Sequence, residues 1–190
     1  PYTTLFRSAS VPIFNYQFVL WHHQGRNMID WIMDTTQGDA AVWKSVNHAK
    51  VNSIGFENSL QFRIHNSQFK VSYGYIHQDK EQEENIVSQY ALEYLRHKLV
   101  ANAQIQLMKR LTLGLNFRWQ DRIGSYTDFD GEVCDYKPYS HIDTRLTWTG
   151  NRWKAYIEGT NIMNKHYHDY GLVEQPGRWI IAGASIHFSH

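Results

Sequence analysis

Large apolar residues recur at every second position through most of this chain. Leu111, Leu113, Leu115, Phe117 and Trp119 alternate with Thr112, Gly114, Asn116, Arg118 and Gln120, which is the repeat of a strand with one apolar face. The same period sets Phe56, Leu60, Phe62 and Ile64 against Glu57, Ser59, Gln61 and Arg63, and Phe69, Val71, Tyr73 and Tyr75 against Lys70, Ser72 and Gly74. It also sets Leu95, Leu99, Ala101, Ala103, Ile105 and Leu107 against Arg96, Lys98, Asn102, Gln104 and Gln106. Ile142, Leu146 and Trp148 alternate with Asp143, Arg145 and Thr147. Two longer runs, 153–164 and 175–188, predict a closing antiparallel pair around a polar loop.

Two stretches admit alternatives. Phe14 to His23 continues into Asn27-Met-Ile-Asp-Trp-Ile-Met33 across Gln24-Gly-Arg-Asn27. A glycine inside a strand pattern marks a bulge, so 14–33 is predicted as one long strand rather than a hairpin. Helix formers in Tyr90-Ala-Leu-Glu-Tyr-Leu-Arg96 allow a helix over 88–98. The alternation that runs on after Arg96 favours strand. About eight strands result.

Three features of the pattern decide the class. The strands run to about ten residues or more, where about 5–6 is usual in soluble sheets and about 9–11 tilted residues cross a bilayer. One face of each strand is almost wholly apolar while the other is charged. The connections are also sorted by length. His65-Asn-Ser67, Lys109-Arg110 and Gly150-Asn151 are tight turns by composition, whereas 34–47, 78–90, 123–138 and 165–175 are long and polar. Outer-membrane barrels have short periplasmic turns and longer extracellular loops, and a soluble sandwich has no reason to sort its loops by end. The expected fold is all-β, an antiparallel transmembrane β-barrel wall whose first strand rises outward and whose last descends to the periplasm.

Composition alters this picture only at the margins. The mean hydropathy of −0.55 and the lack of an apolar run of about 18 residues exclude a transmembrane helix, but alternating barrel strands average to a polar score. An aromatic share of 15% suits aromatic girdles at the two membrane interfaces. Lys+Arg 19 against Asp+Glu 18 leaves no basic face for nucleic acid. The one cysteine, Cys134, makes no internal disulfide. Pro1-Tyr-Thr-Thr-Leu-Phe-Arg-Ser8 resembles the in-frame translation of a sequencing adapter, so 1–8 is expected to be a non-native scar and 9–190 the barrel portion.

Candidate chemistry is sparse. His166-Tyr-His168-Asp169 has the look of a metal-ligand cluster, but no second cluster completes a coordination set. The favoured reading is an aromatic polar loop, with no metal. His22 and His23 point to opposite faces of a strand and cannot chelate jointly. Asp79, Glu81, Glu83 and Glu84 lack calcium-loop spacing. Gly114, Gly159 and Gly183 sit at isolated strand positions and form no phosphate cradle. Glu57, Glu93, Asp143 and Glu158 share polar faces with Arg63, Arg96, Arg118 and Arg145, which suits charge pairs on a wet lumenal wall. No catalytic arrangement and no cofactor are expected.

Several of these stretches resemble TonB-dependent outer-membrane receptors. Asn27-Met-Ile-Asp-Trp31 looks like a strand of that family ending in an Ile-x-Trp element. Trp43 followed by Asn47 and Gly55-Phe-Glu57 looks like its W…N…GxE segment. Asn161-Ile-Met-Asn-Lys-His-Tyr167, Gln175-Pro-Gly-Arg178 and a terminal strand ending in Phe188 resemble its closing hairpin. Ser189-His190 departs from the family, whose chains usually end on that Phe. The resemblance implies the last third of a 22-stranded barrel around a plug domain of the same chain, with plug and earlier strands missing. It further implies lipid outside, a Gram-negative-type outer membrane and import of a scarce nutrient as a small-molecule or metal-chelate substrate (siderophore-iron, cobalamin or similar). The inner-membrane TonB complex would supply power through the missing N-terminal part. Ligand contact would fall to the long loops, with Trp43, Tyr126, Tyr136, His166, His168 and Tyr170 as candidates. The competing readings are a complete small barrel with a structural or adhesive role, and an outer-membrane enzyme.

Overall fold

The computed structural model describes residues 2–11, 13–81, 85–88 and 94–188. The first strands are β1 (Tyr2–Val11), β2 (Phe14–Asp34), β3 (Lys44–Ile64), β4 (Ser67–Glu81) and the short β5 (Ile86–Ser88). Then come β6 (Tyr94–Met108), β7 (Leu111–Ile123), the small β8 (Ser125–Thr127) and β9 (Val133–Asp135), β10 (Tyr139–Thr149), β11 (Trp153–Thr160) and β12 (Trp179–Ile186). One antiparallel sheet runs in the order β1-β2-β3-β4-β6-β7-β10-β11-β12, with β5 added beside β2. Strands β8 and β9 form a separate hairpin. Each long strand pairs with its sequence neighbour, a meander of up-and-down strands.

The register carries the alternation across the middle of the sheet. In β6 it shifts between Leu95 and His97 and again between Gln106 and Met108, so Leu95, predicted on the apolar face, lies opposite Arg122 on the polar one. One row aligns Phe62, Phe69, Ala103, Leu115 and Thr144 on the apolar face. The adjacent row aligns Gln61, Lys70, Asn102, Asn116 and Asp143 on the polar face. Among the described residues no second layer covers the apolar side. Packing between strands is between hydrogen-bonded neighbours, and no large described side chain is fully buried. Leu113, Leu115 and Phe117 are half-buried by their lateral neighbours, with no facing sheet. Aromatic rings gather at two levels of this face. Phe56, Tyr75, His97 and Trp119 adjoin at centroid spacings of 5.7, 4.9 and 5.9 Å. Phe62 and Phe69 stack at 5.1 Å six residues further along, ~20 Å of strand.

The connections are sorted as the sequence predicts. The β1–β2, β3–β4, β6–β7 and β10–β11 strand ends that turn back lie at one end of the sheet, and the ends joined by the described connections 35–43, 124–138 and 161–178 lie at the other. The 14–33 stretch is a single strand, β2, whose register shifts between Gly25 and Met28 and again between Met28 and Ile29, the expected bulge. Tyr94–Met108 is strand; the helical alternative over 88–93 lies mostly outside the described residues.

Several predicted boundaries move. Thr35–Ala40 is a 3₁₀ turn started by Asp34, which accepts from the Thr36 N–H at 2.9 Å, and β3 begins at Lys44 rather than near Ala49. β4 takes in 78–81, and β5 takes in 86–88, from the predicted charged loop. The closing strands are shorter than expected, so the last loop runs from 161 to 178. Residues 2–8, set aside above, lie in β1 and make nine strands along the main path instead of eight.

Candidate binding surface at the long-loop end

Local chemistry fixes the two largest described loops. In the β7–β10 connection, Asp128 Oδ1 accepts the N–H groups of Asp130 and Glu132, both at 2.9 Å. Gly131 supplies the left-handed turn at φ 84°. The resulting β8–β9 hairpin brings Tyr126 and Tyr136 together at 5.4 Å. Cys134 Sγ lies 3.8 Å from Asp128 Oδ2, and burial, then the Asp128 charge, push its thiol above the ordinary value.

The β11–β12 loop is organised by Asn161, which is 4% exposed. Its N–H donates to Asp143 Oδ1 at 2.8 Å. Its side-chain amide donates to the carbonyls of Lys165 (2.9 Å) and Pro176 (3.2 Å), while Oδ1 accepts the Lys165 N–H at 2.9 Å. Asn164 Oδ1 accepts the Arg178 N–H at 2.9 Å, and a Cβ on Gly177 would sit 2.7 Å from that oxygen. The closing motif Asn161-Ile-Met-Asn164 … Pro176-Gly-Arg178 therefore joins the two ends of one loop.

Together these loops build an aromatic surface around Arg122, from the end of β7. The guanidinium lies 5.9 Å from the Tyr136 ring centroid and 5.5 Å from that of Tyr170, and 3.8 Å from Asp169 Oδ1. The Tyr136 hydroxyl accepts the Gly171 N–H at 2.7 Å. Tyr126 stacks on His168 at 4.6 Å, with its hydroxyl 3.3 Å from Nδ1. The Tyr139 hydroxyl has both Gln120 Oε1 (2.8 Å) and Asp169 Oδ1 (2.9 Å) in reach, and its ring stacks on Tyr167 at 4.0 Å. Burial, then the Asp169 carboxylate, raise the Tyr167 hydroxyl above its ordinary value.

Of the predicted contact residues, Tyr126, Tyr136, His168 and Tyr170 come together here. His166 is at the edge, bonded to Glu174 Oε1 at 2.6 Å. Trp43 stands apart on the β2–β3 connection, 41% exposed. His166, His168 and Asp169 thus turn to three different partners, and no group of three metal-ligating side chains occurs among the described residues. Arg122 and Tyr139 escaped the sequence reading as site residues, while Tyr167 and Asp169 entered it only as part of the disfavoured metal-ligand reading of 166–169. Arg122 lay hidden as one more polar position at a strand end, and nothing in the sequence links Tyr139 to Tyr167.

No family model and no curated protein matches the sequence. Solved structures do match by fold. The ferric-catecholate import receptor Fiu of Escherichia coli K12 superposes with a TM-score of 0.73 at 15% identity, over 98% of this chain and 27% of its own. The FrpB iron transporter of Neisseria meningitidis gives 0.72 at 14%, over 96% and 30%. The copper transporter OprC gives 0.74 at 10%, over 98% and 31%. This chain thus spans about a third or less of each structure it matches. Its architecture is that of a stretch of barrel wall from TonB-dependent outer-membrane receptors.

Proposed function

We propose that this chain is the C-terminal part of the barrel of an outer-membrane active transporter that imports a scarce small molecule or metal chelate, powered by the TonB complex. The observation that carries the reading is the single-layer sheet whose apolar face meets no other layer while its long and short connections segregate to opposite ends. Its fold neighbours named as an iron transporter, a ferric-catecholate import receptor and a copper transporter add support. On this reading the long loops are extracellular, the polar face lines a lumen filled by a plug domain from the same gene, and the Arg122 cluster is the ligand-facing surface. Residues 1–8 are foreign to the barrel; Arg7, set beside Phe18 on the apolar face, supports that.

The test is uptake by cells carrying the complete gene or its deletion, each with and without a working TonB complex. Ferric siderophores, copper and cobalamin are the labelled substrates. Import of at least one, lost on deletion of either partner, is expected. Equal import in all four strains would leave the structural or adhesive reading in its place.

A further inference from the structure

The short turns carry cations and no carboxylate. Lys109 and Arg110 make the β6–β7 turn, Arg152 lies in the β10–β11 turn with Lys154 two residues on, and Arg63 stands just before the β3–β4 turn. All are exposed. The nearest acids along these strands, Glu57, Asp143 and Glu158, lie further up the polar face, and Glu158 already pairs with Arg145 at 3.3 Å. No described carboxylate comes within ion-pair reach of the turn cations. Carboxylates gather instead at the long-loop end, Asp128, Asp130, Glu132, Asp135, Asp169 and Glu174 among them.

Two of these turns are fixed side by side. Arg110 Nη2 donates to Asn151 Oδ1 at 2.8 Å, the Thr149 N–H donates to the Arg110 carbonyl at 2.8 Å, and the His187 N–H to the Arg152 carbonyl at 2.8 Å. Lys109, Arg110 and Arg152 therefore share one rim. Directly beside it the apolar face ends in a row of Met108, Leu111 and Trp148, with Trp153 opposite Ile186 one strand pair along. Met108, Trp148, Trp153 and Ile186 are exposed. Gly150 leaves the Trp153 indole room to lie over the turn, since a Cβ there would sit 2.7 Å from Trp153 Nε1. Indole rings at such a level mark a membrane–water boundary. Apolar surface and cations thus meet along one edge.

Resting on the transport reading above, we propose that this rim seats an anionic phospholipid of the leaflet bordering the periplasm. Its phosphate lies among Lys109, Arg110 and Arg152, and its chains run along Met108, Trp148 and Trp153. Charge and continuity with the apolar face together select that occupant. Free phosphate or an acidic polypeptide answers the cations but leaves the apolar row bare. A zwitterionic lipid covers the row but brings no net charge to a rim that attracts anions.

Native mass spectrometry of the complete receptor, released from detergent, compares dioleoylphosphatidylglycerol with dioleoylphosphatidylcholine. The tightest bound lipid should be the phosphatidylglycerol, held about five-fold more weakly for each cation removed in Lys109→Gln and then in Lys109→Gln with Arg152→Gln. Lys109→Arg, which keeps the charge, should bind like the parent, and so should Lys98→Gln, the same charge change on another part of the wall. Arg110 is left in place because it ties the two turns. Equal affinity for the two lipids would overturn the proposal, as would a preference untouched by the double substitution. So would displacement of the lipid by an equal concentration of glycerol phosphate, which would make this a site for free phosphate. A chain-borne carbene probe in vesicles of the same two lipids reports on the barrel itself. Labelling of Leu113 and Leu115 without a headgroup preference sinks the lipid site and keeps the transport reading; their protection removes that reading and the proposal with it.

Discussion

At the scale of single residues, the two faces of one strand make opposite demands. Leu113 and Leu115 sit on the apolar side of β7 and Asn116 on its polar side. Leu113→Arg or Leu115→Arg should cost about 2–4 kcal/mol at midplane depth, while Asn116→Arg should cost less than about 1 kcal/mol, as a long cation on a wet face. Denaturant titration of the complete barrel refolded in lipid vesicles measures both; equal small costs would contradict the facing. Asn161→Ala removes three side-chain hydrogen bonds and leaves alanine at φ 46°. A loss of about 4 kcal/mol is expected, from three bonds worth ~1 kcal/mol each plus ~1 kcal/mol of left-handed strain, read as a lower unfolding temperature. Tyr167 gives a pH signature. Its hydroxyl is held above the ordinary value, so the fold favours the neutral form. That contribution is complete below pH ~10 and is lost as pH rises through the folded value. Spectrophotometric titration should show this tyrosine ionising later than free tyrosine, and Asp169→Asn should bring it earlier.

At the scale of elements, the strands show how polar groups on the apolar face are answered. Asn58 lies on the apolar row of β3, and Tyr16 of β2 donates to its Oδ1 at 2.7 Å. Tyr73 and His97 Nδ1 pair likewise at 2.7 Å on the same face. Hydrocarbon offers no replacement partner, so each such group must be answered within the sheet. Tyr16→Phe strands the Asn58 carbonyl and should cost about 1–3 kcal/mol, whereas Tyr16→Phe with Asn58→Leu should recover most of it. The comparison is made by unfolding both variants in the same vesicles. Existence, order and facing of the long strands were legible because period-two alternation is a local property. The ends were not. Gln78 to Glu81 reads as solvated loop, yet these residues pair with Lys50 to Ser53 of β3, and only the partner strand decides how far a ladder continues. The 161–178 loop was misjudged for the converse reason: Asn161 adopts a left-handed turn that ends β11 four residues before the predicted boundary at 164.

At the scale of the whole molecule, the sheet exposes more than a self-sufficient domain does. Its accessible surface is 13381 Å², whereas a folded monomer of 22.4 kDa has about 9,400 Å² by size scaling. The excess is the uncovered apolar face together with β1 and β12, whose outer edges are unpaired in the sheet order. Such edges and patches drive association. The 190-residue chain produced alone in water should therefore aggregate, and a monodisperse monomer on size-exclusion chromatography would argue against a barrel wall.

The sequence by itself determined the strand period, the facing of side chains in the regular stretches and the sorting of loops by length, because each is written in neighbouring residues; the bulges of β6, which turn Leu95 to the polar face, were not. It also contained the closing-loop asparagines and glycine that the structure uses. Tertiary structure decided which loop residues meet. Arg122 gathers Tyr136, Tyr170 and Asp169, and Trp43 stays apart, because loop contacts follow from strand order and register across the sheet, which separate residues near in sequence and join distant ones.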